Sequence, residues 1–392
     1  MPRNPFTPGS GTYPPFLAGR GSQLIEFNKI LESLKAGHLE NVLVYGLRGV
    51  GKTVLLDDFQ RACVDQGFLT IRRSHFSRKY SDSLEFDMAF RYDIRTAIET
   101  FSHFSKVRNK AKSAISLIKP KSVGVGDLFY YEPSYDKKRD APFEDHLTDL
   151  LKKNWSIFEK AGYAGVIFLY DEFHTVVDNR SEGQYVLSDF IAAMNESQKD
   201  GARFFPVLCG LPNLRLNLKK ARSYSERMFT DILLTHLDAT ASREAIEKPL
   251  DGSGYAFSSE LISALTKDTG GYPFFLQFYG KQLISNAGKQ RIEMSDYERV
   301  KSVITKELDV SFFDQRFDSA STDEQEVLCG MSRFLKEDIP SDFIVKTTGM
   351  SRTNVSRSLS RLGTKGIVYN FKRGFYRFSL PMFREYLVRR CR

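Results

Sequence analysis

The sequence predicts an α/β protein: a parallel sheet with helices on both faces, followed by a helical lid and a C-terminal winged helix-turn-helix. Three stretches carry that expectation. An apolar strand at residues 41–59 runs into a glycine-rich turn and then a helix. A second buried-strand pattern, residues 164–174, ends in two adjacent acids, and a helix–turn–helix–hairpin order rich in Lys and Arg fills Ser341 to Arg392.

The first stretch, NVLVYGLRGVGKTVLLDDF, has Gly46, four residues, then Gly51, Lys52 and Thr53, the G-x-x-x-x-G-K-[ST] spacing of a phosphate-binding loop. Val42 to Tyr45 before it and Val54, Leu55, Leu56 and Phe59 after it supply the strand and the amphipathic helix that the motif requires. Gly46, Leu47, Arg48, Gly49, Val50 and Gly51 form the cradle whose N–H groups turn toward phosphate oxygens, and Val54 continues it into the helix. Lys52 reaches the β- and γ-phosphates, and the Thr53 hydroxyl suits Mg²⁺, which prefers hard oxygen ligands.

The second stretch, AGVIFLYDEFH, reads as a central strand ending in Asp171 and Glu172. At the carboxyl end of a parallel strand both acids emerge beside the phosphate loop. Asp171 is then the second metal-side group and Glu172 the residue that polarises an attacking water, which points to hydrolysis.

With 392 residues and 41% hydrophobic content, the chain is expected to hold two or three domains with real cores. Cys63, Cys209, Cys329 and Cys391 form no C-x-x-C pair, so neither a disulfide framework nor a zinc site is expected. A cytoplasmic location follows as an expectation, and no apolar run is long enough to span a membrane. The opening MPRNPFTPGSGTYPPF reads as an extended Pro-rich arm.

The net charge of +9 is uneven: Ser341 to Arg392 has twelve Lys and Arg against two acids, leaving about −1 for everything before it. In that module, Phe343–Thr348, a Gly349-Met350 turn and Ser351–Leu362 read as two helices. Val355, Leu359 and Leu362 form a buried stripe on the second. Ile367–Phe371 and Phe375–Leu380 form a hairpin with Lys372 and Arg373 at its tip. If the module binds double-stranded DNA, Arg352, Thr353, Asn354, Ser356 and Arg357 on the second helix and Lys372 and Arg373 on the wing are the expected contacts. The alternative is a protein-docking or packing face.

Between these landmarks, RFFPVL reads as another buried strand, closed by Cys209 to Asn213, and Arg222 and Arg227 precede a strand from Phe229 to Thr235. Either arginine can act as a finger on a neighbouring subunit's γ-phosphate or be an ordinary surface charge. Leu237 to Ile304 has helical periodicity throughout, broken at Gly270-Gly271-Tyr272-Pro273. The basic run Phe101 to Val125 and the strand-like VGVGDLFYY belong to an insertion at about 74–140. A solvated face is the simpler reading of that run, and a second DNA contact the other.

The order of phosphate loop, DE strand, GLP strand end, arginine pair, GGYP lid and winged helix resembles AAA+ ATPases of the origin-recognition and initiator type. It is also similar to their kin, the archaeal and bacterial ATPases related to the signal-transduction (STAND) class. The resemblance implies a P-loop NTPase sheet ordered 5-1-4-3-2, with ATP and Mg²⁺ as ligands. Leu17, Gly19 and Arg20 match the segment that lines the adenine pocket, and Pro273 the lid residue near base or ribose. It further implies an arm at 1–22, an ATPase domain at 23–236, a lid at 237–310 and the winged helix at 311–392. The chain departs from the initiator pattern twice: GGYPFFLQ has no lid arginine, and Cys209-Gly210 replaces a polar sensor, leaving Asn213 nearest. Both departures imply slow hydrolysis and a nucleotide-loaded switch. The expected output is DNA binding. The alternative is a signalling ATPase whose winged helix docks a protein or holds the lid closed while ATP controls homo-oligomer assembly. A GTPase is disfavoured, since no N-K-x-D motif is present.

Overall fold

A computed structural model describes residues 2–9, 13–112 and 142–391, with backbone alone for 100–112. Its centre is β1 (Asn41–Gly46), whose Val42 and Val44 face one core and Leu43 the other. A strand covered on both sides has no face left for polar residues, which is why its sequence is an unbroken apolar run. It pairs in parallel with β4 (Phe204–Gly210) and β5 (Phe229–Leu234). With β2 (Leu69–Arg73) and β3 (Val166–Tyr170) the sheet order is β2-β3-β4-β1-β5, the order that the resemblance implied.

Helices cover both faces. On one, α1 (Gly21–Lys35) and α2 (Lys52–Asp65) stack Phe27 on Phe59, ring centroids 3.8 Å apart. On the other, α3 (Ser83–Lys112), α4 (Phe143–Lys160) and α5 (Val186–Lys199) bury Phe86, Phe90, Phe158 and Phe190 against Phe168 and Phe204 of the sheet. Two short helices, α6 (Asn213–Ala221) and α7 (Ser225–Met228), lead into β5. The strand-like VGVGDLFYY and the side chains of the basic run lie outside the described residues.

The lid comprises α8 (Ala239–Leu250), α9 (Ser259–Thr269), α10 (Pro273–Ala287) and α11 (Met294–Leu308). Its all-helical reading needs one correction: β6 (Ala256–Phe257) pairs in parallel with β7 (Arg291–Ile292). Two residues per strand are too few for an alternating pattern to register. Helix α11 continues through a π-helical turn, Asp309–Asp314, into α12 (Gln315–Asp318) without a break.

Beyond α13 (Thr322–Ser332), α14 (Ser341–Thr348), α15 (Arg352–Thr364), β9 (Val368–Lys372) and β10 (Phe375–Phe378) have the expected order, and β8 (Ile339–Pro340) and α16 (Phe383–Arg390), which the sequence reading did not include, flank them. Ser351 caps α15 by accepting from the Asn354 N–H at 3.2 Å. Val355, Leu359 and Leu362 form its buried stripe. One apolar cluster runs from Leu56 on α2 through Tyr279 on the lid and Phe313 in the π turn to Leu359 and Tyr386. Among the described residues, no helix is long and apolar enough to cross a membrane.

The cysteine reading is overturned. Cys329 on α13 and Cys391 just past α16 form a disulfide across 62 residues of sequence. The pairing was illegible because packing of α13 against α16, rather than sequence spacing, brings the two together. For a closure of 62 residues, the chain-entropy picture gives about 4 kcal/mol. Cys329→Ser is therefore expected to lower the urea midpoint of the oxidised protein. Dithiothreitol should lower the wild-type midpoint similarly and leave the variant unmoved, as read by circular dichroism.

Candidate nucleotide site

The phosphate loop connects β1 to α2. Gly49 and Gly51 hold φ of +81° and +91°, where a side chain would be strained. No acid occupies the first turn of α2, so its N-terminal N–H groups face the loop uncompensated. Lys52 is buried, its Nζ donating to the carbonyls of Gly46 (3.1 Å) and Leu47 (2.9 Å). Burial pushes its pKa down, opposed by Glu172 and Asp171 among its neighbours.

Strand β3 delivers the two acids as expected. The Thr53 hydroxyl donates to Asp171 Oδ2 at 2.7 Å, bringing together the two residues expected on the metal side. These are hard oxygen donors, and no cluster of three or more His, Cys, Asp or Glu among the described residues is arranged to hold an ion. That donor set fits Mg²⁺, which takes one or two protein oxygens and completes its shell with phosphate and water. Glu172 stands in the left-handed region at φ +54°, its N–H donating to Asp171 Oδ1 at 2.8 Å. A non-glycine residue held there commonly marks a functional constraint.

Two residues beside this pair were not read from the sequence in full. His174 is buried with Nε2 3.6 Å from Glu172 Oε2. A Cβ at position 210 would come within 2.9 Å of the His174 Cβ, so the glycine that replaces a polar sensor is what lets His174 pack here. Asn213 lines the same groove, and its Oδ1 is buried with no hydrogen-bond partner.

A cavity of about 350 Å³ adjoins the loop. Leu17, Arg20, Arg48 to Val54, Glu172 and Pro273 line it, along with Thr7, Phe274, Gln277, Phe312 and Arg316. Arg20 Nη2 donates to the carbonyls of Val50 and Thr235, both at 2.8 Å, so it fastens the phosphate loop to the end of β5. Gly19 does not line the cavity; a Cβ there would lie 2.6 Å from the Ala241 Cβ of α8. The arm lies along the lid, with Phe6 buried on Gly280 and the Thr7 N–H donating to Gln277 Oε1 at 3.3 Å. Thr7 Oγ1 is buried without a partner. The lid meets the loop where the Phe274 N–H donates to the Gly49 carbonyl at 3.3 Å.

A wider groove shares Arg48, Thr53 and Glu172 with the cavity and is walled on its far side by the C-terminal module. Arg48 Nε donates to the Gly366 carbonyl at 3.4 Å, in the turn between α15 and β9. Gly366 holds φ +66°, and a Cβ there would sit 2.6 Å from the Arg48 guanidinium, so the contact needs glycine. The residues expected to touch DNA fall in two places. Arg352, Thr353, Asn354, Ser356 and Arg357 are exposed on the outer face of α15, whereas Lys372 and Arg373 line the groove. Arg222 and Arg227 line neither space. Arg222 is paired with Glu144 at 2.7 Å and donates to the Ser188 carbonyl, while Arg227 is exposed in a depression with Tyr224 and Asn195.

A model of the AAA ATPase domain matches residues 17–196, and one of a domain of unknown function matches residues 310–387. No match was found among curated proteins. Among solved structures, a Walker-type ATPase of Pyrococcus abyssi is similar in fold, at 19% identity and TM-score 0.53, over 95% of this chain and 96% of that one. The Cdc6p of Pyrobaculum aerophilum (14% identity, TM-score 0.49, 98% and 96% covered) also aligns along its length. So does the Orc1 protein of Aeropyrum pernix (14%, 0.46, 96% and 94%), solved in complex with DNA. Residues 17–196 match an AAA ATPase domain, and the sheet order around the phosphate loop gives the chain an AAA+-like P-loop fold.

Proposed function

We propose that the chain binds ATP with Mg²⁺, hydrolyses it slowly, and uses the nucleotide to control the position of its winged helix. The observation that carries this reading is the contact between Arg48 of the phosphate loop and Gly366 of the winged helix. One side chain touches both the nucleotide cavity and the C-terminal module, so phosphate and the Gly366 carbonyl compete for the same guanidinium.

Mg²⁺, when bound, would supply charge neutralisation to the phosphates during transfer. Thr53 and Asp171 would hold it. Lys52 would transfer its hydrogen bonds from the loop carbonyls to phosphate oxygens, and Glu172 would accept a proton from the attacking water. Asn213, whose buried oxygen has no hydrogen-bond partner, would orient that water. Thr7 and Gln277 lie where base or ribose would be read. Slow turnover fits a GGYP turn without an arginine and an Arg222 engaged within its own subunit. Arg227, exposed and in no ion pair among the described residues, is the better finger for a neighbouring subunit in a homo-oligomer.

The exposed outer face of α15 supports duplex DNA as the output. The second reading, a STAND-like switch in which the winged helix covers its own ATPase face until nucleotide or a protein partner frees it, is favoured by Lys372 and Arg373 lining the groove.

Lys52→Ala is expected to abolish ATP binding in a fluorescent-nucleotide titration. Glu172→Gln should bind normally and lose at least about 100-fold in steady-state turnover. If duplex DNA is the partner, affinity falls with salt, and Arg352→Ala with Arg357→Ala reduces the log–log slope by about 2; binding indifferent to salt would favour the docking reading.

His174 gives a pH prediction. Burial, reinforced by Arg48, Lys52 and His75, holds its pKa down to about 3, so its contact with Glu172 is that of a neutral imidazole and not an ion pair. In the unfolded chain a histidine takes up its proton near pH 6.5, about where neutral pH ends. The stability this group contributes is therefore full above that pH and lost as pH falls toward 3. His174→Gln should flatten the difference in denaturation midpoint between pH 7 and pH 5.

A further inference from the structure

The nucleotide cavity has an unexplained cation. Its walls carry Arg20, Lys52, Arg48 and Arg316 but only one carboxylate, Glu172. Three of these cations have a part already: Arg20 ties the loop to β5, Lys52 fills the loop, and Arg48 reaches Gly366. Arg316 has no carboxylate partner among the described residues. Its Nη1 donates to the Phe312 carbonyl, one helical turn before it, and its guanidinium lies over the Phe312 ring at 3.9 Å. Burial holds its pKa down to about 10, with Arg48 adding repulsion, so the fold keeps two guanidinium groups near each other at the loop end of the cavity. A desolvated cation facing another cation is costly unless an anion joins them.

A second observation concerns the backbone. Arg316 lies two residues past the π-helical turn Asp309–Asp314, in the first turn of α12. Such turns are rare and recur at functional sites, because the extra residue re-aims side chains that a regular helix would point elsewhere. Here the turn sends Phe312 onto Phe274 of the lid, ring centroids 4.8 Å apart, and Phe313 onto Phe383 and Tyr386 of α16, at 5.6 and 5.2 Å. Asp314 accepts from the Tyr386 hydroxyl at 2.6 Å, and Asp309 pairs with Arg389 at 2.6 Å.

We propose that Arg316 is a phosphate-binding residue of the nucleotide site, supplied by the helix that joins the lid to the winged helix, with the polyphosphate tail of the bound nucleoside triphosphate as its ligand. The assignment rests on the reading of this cavity as the ATP site. It places the anion between Arg316 and Arg48, and it gives the chain a phosphate-sensing arginine that the GGYP turn lacks. Since the helix of Arg316 is fastened to α16, the charge state of the ligand is felt directly by the C-terminal module.

The test uses the full chain, with titrations of ATP, adenosine and inorganic tripolyphosphate against wild type, Arg316→Gln and Arg316→Lys. Arg316→Gln is expected to weaken ATP and tripolyphosphate at least tenfold while leaving adenosine within twofold. Arg316→Lys should fall between, because its ammonium keeps the charge but loses the fork. Equal affinities in wild type and Arg316→Gln would overturn the assignment, as would a parallel loss of adenosine, which marks a merely structural role. Should Arg316→Gln fail to fold, an unchanged ATP affinity in Arg316→Lys overturns it, and a selective loss there upholds it. A wild type that binds neither ATP nor tripolyphosphate would instead bring down the reading of the cavity itself.

Discussion

Four cations converge on one cavity, and each donates to a backbone carbonyl. Lys52 takes Gly46 and Leu47, Arg20 takes Val50 and Thr235, Arg48 takes Gly366, and Arg316 takes Phe312. Those carbonyls belong to the phosphate loop, the end of the sheet, the winged helix and the π turn. Positive charge drawn out of water must find acceptors, and here the acceptors run from the ATPase domain to the C-terminal module. A phosphate oxygen is a stronger acceptor for a guanidinium or ammonium than a neutral carbonyl. On the proposed reading, a triphosphate would reach the sheet, the linking helix and the C-terminal module through the same four side chains.

On the switch reading, the apolar packing would carry that competition to whole bodies. Phe274 sits at the start of α10, bonded through its N–H to Gly49 and stacked through its ring on Phe312. A Cβ on Gly49 would come within 3.2 Å of the Phe274 Cβ, so loop and lid have no slack between them. From Phe312 the path continues through Phe313 into α16, inside one cluster that reaches back to α2. Packed interiors rearrange between discrete arrangements rather than deforming smoothly, which is what a switch requires.

The phosphate loop, the DE strand end, the GGYP turn and the helix–turn–helix–hairpin order were legible in the sequence, because each depends on short-range pattern, whereas the sheet order came only from the family resemblance. A strand buried on both faces, a glycine turn and a capped helix announce themselves within about twenty residues. What was illegible depends on distance. Arg316 stands 264 positions after Lys52 in a segment whose pattern says only amphipathic helix, and the π turn that aims it has no composition of its own. His174 looked like the tail of a strand until Gly210, on a different strand, proved to be cleared for it. Cys329 and Cys391 are joined by helix packing that no spacing rule encodes.

Charge along the sequence was a weaker guide than charge in space. The last fifty-two residues have a net +10, yet much of that is answered inside the fold. Lys365 meets Glu324, Arg377 meets Asp338, Arg389 meets Asp309 and Arg390 lies 3.8 Å from Asp318, and all four acids precede the module. The near-neutral remainder of the chain thus supplies counter-charges to the basic end. Lys346, Arg357, Arg361, Lys372 and Arg373 have no ion-pair partner among the described residues, and they are divided between α14, α15 and the wing. Total charge therefore argues less for DNA than it did in the sequence. The stronger argument is geometric: a helix capped by Ser351, anchored by Val355, Leu359 and Leu362, presents Arg352, Thr353, Asn354, Ser356 and Arg357 together on an open face. A rigid helix with a short polar and basic face can enter a major groove without further rearrangement. On that reading the wing, whose exposed Lys372 and Arg373 line the groove that also holds Glu172, would have to serve both the duplex and the ATPase face.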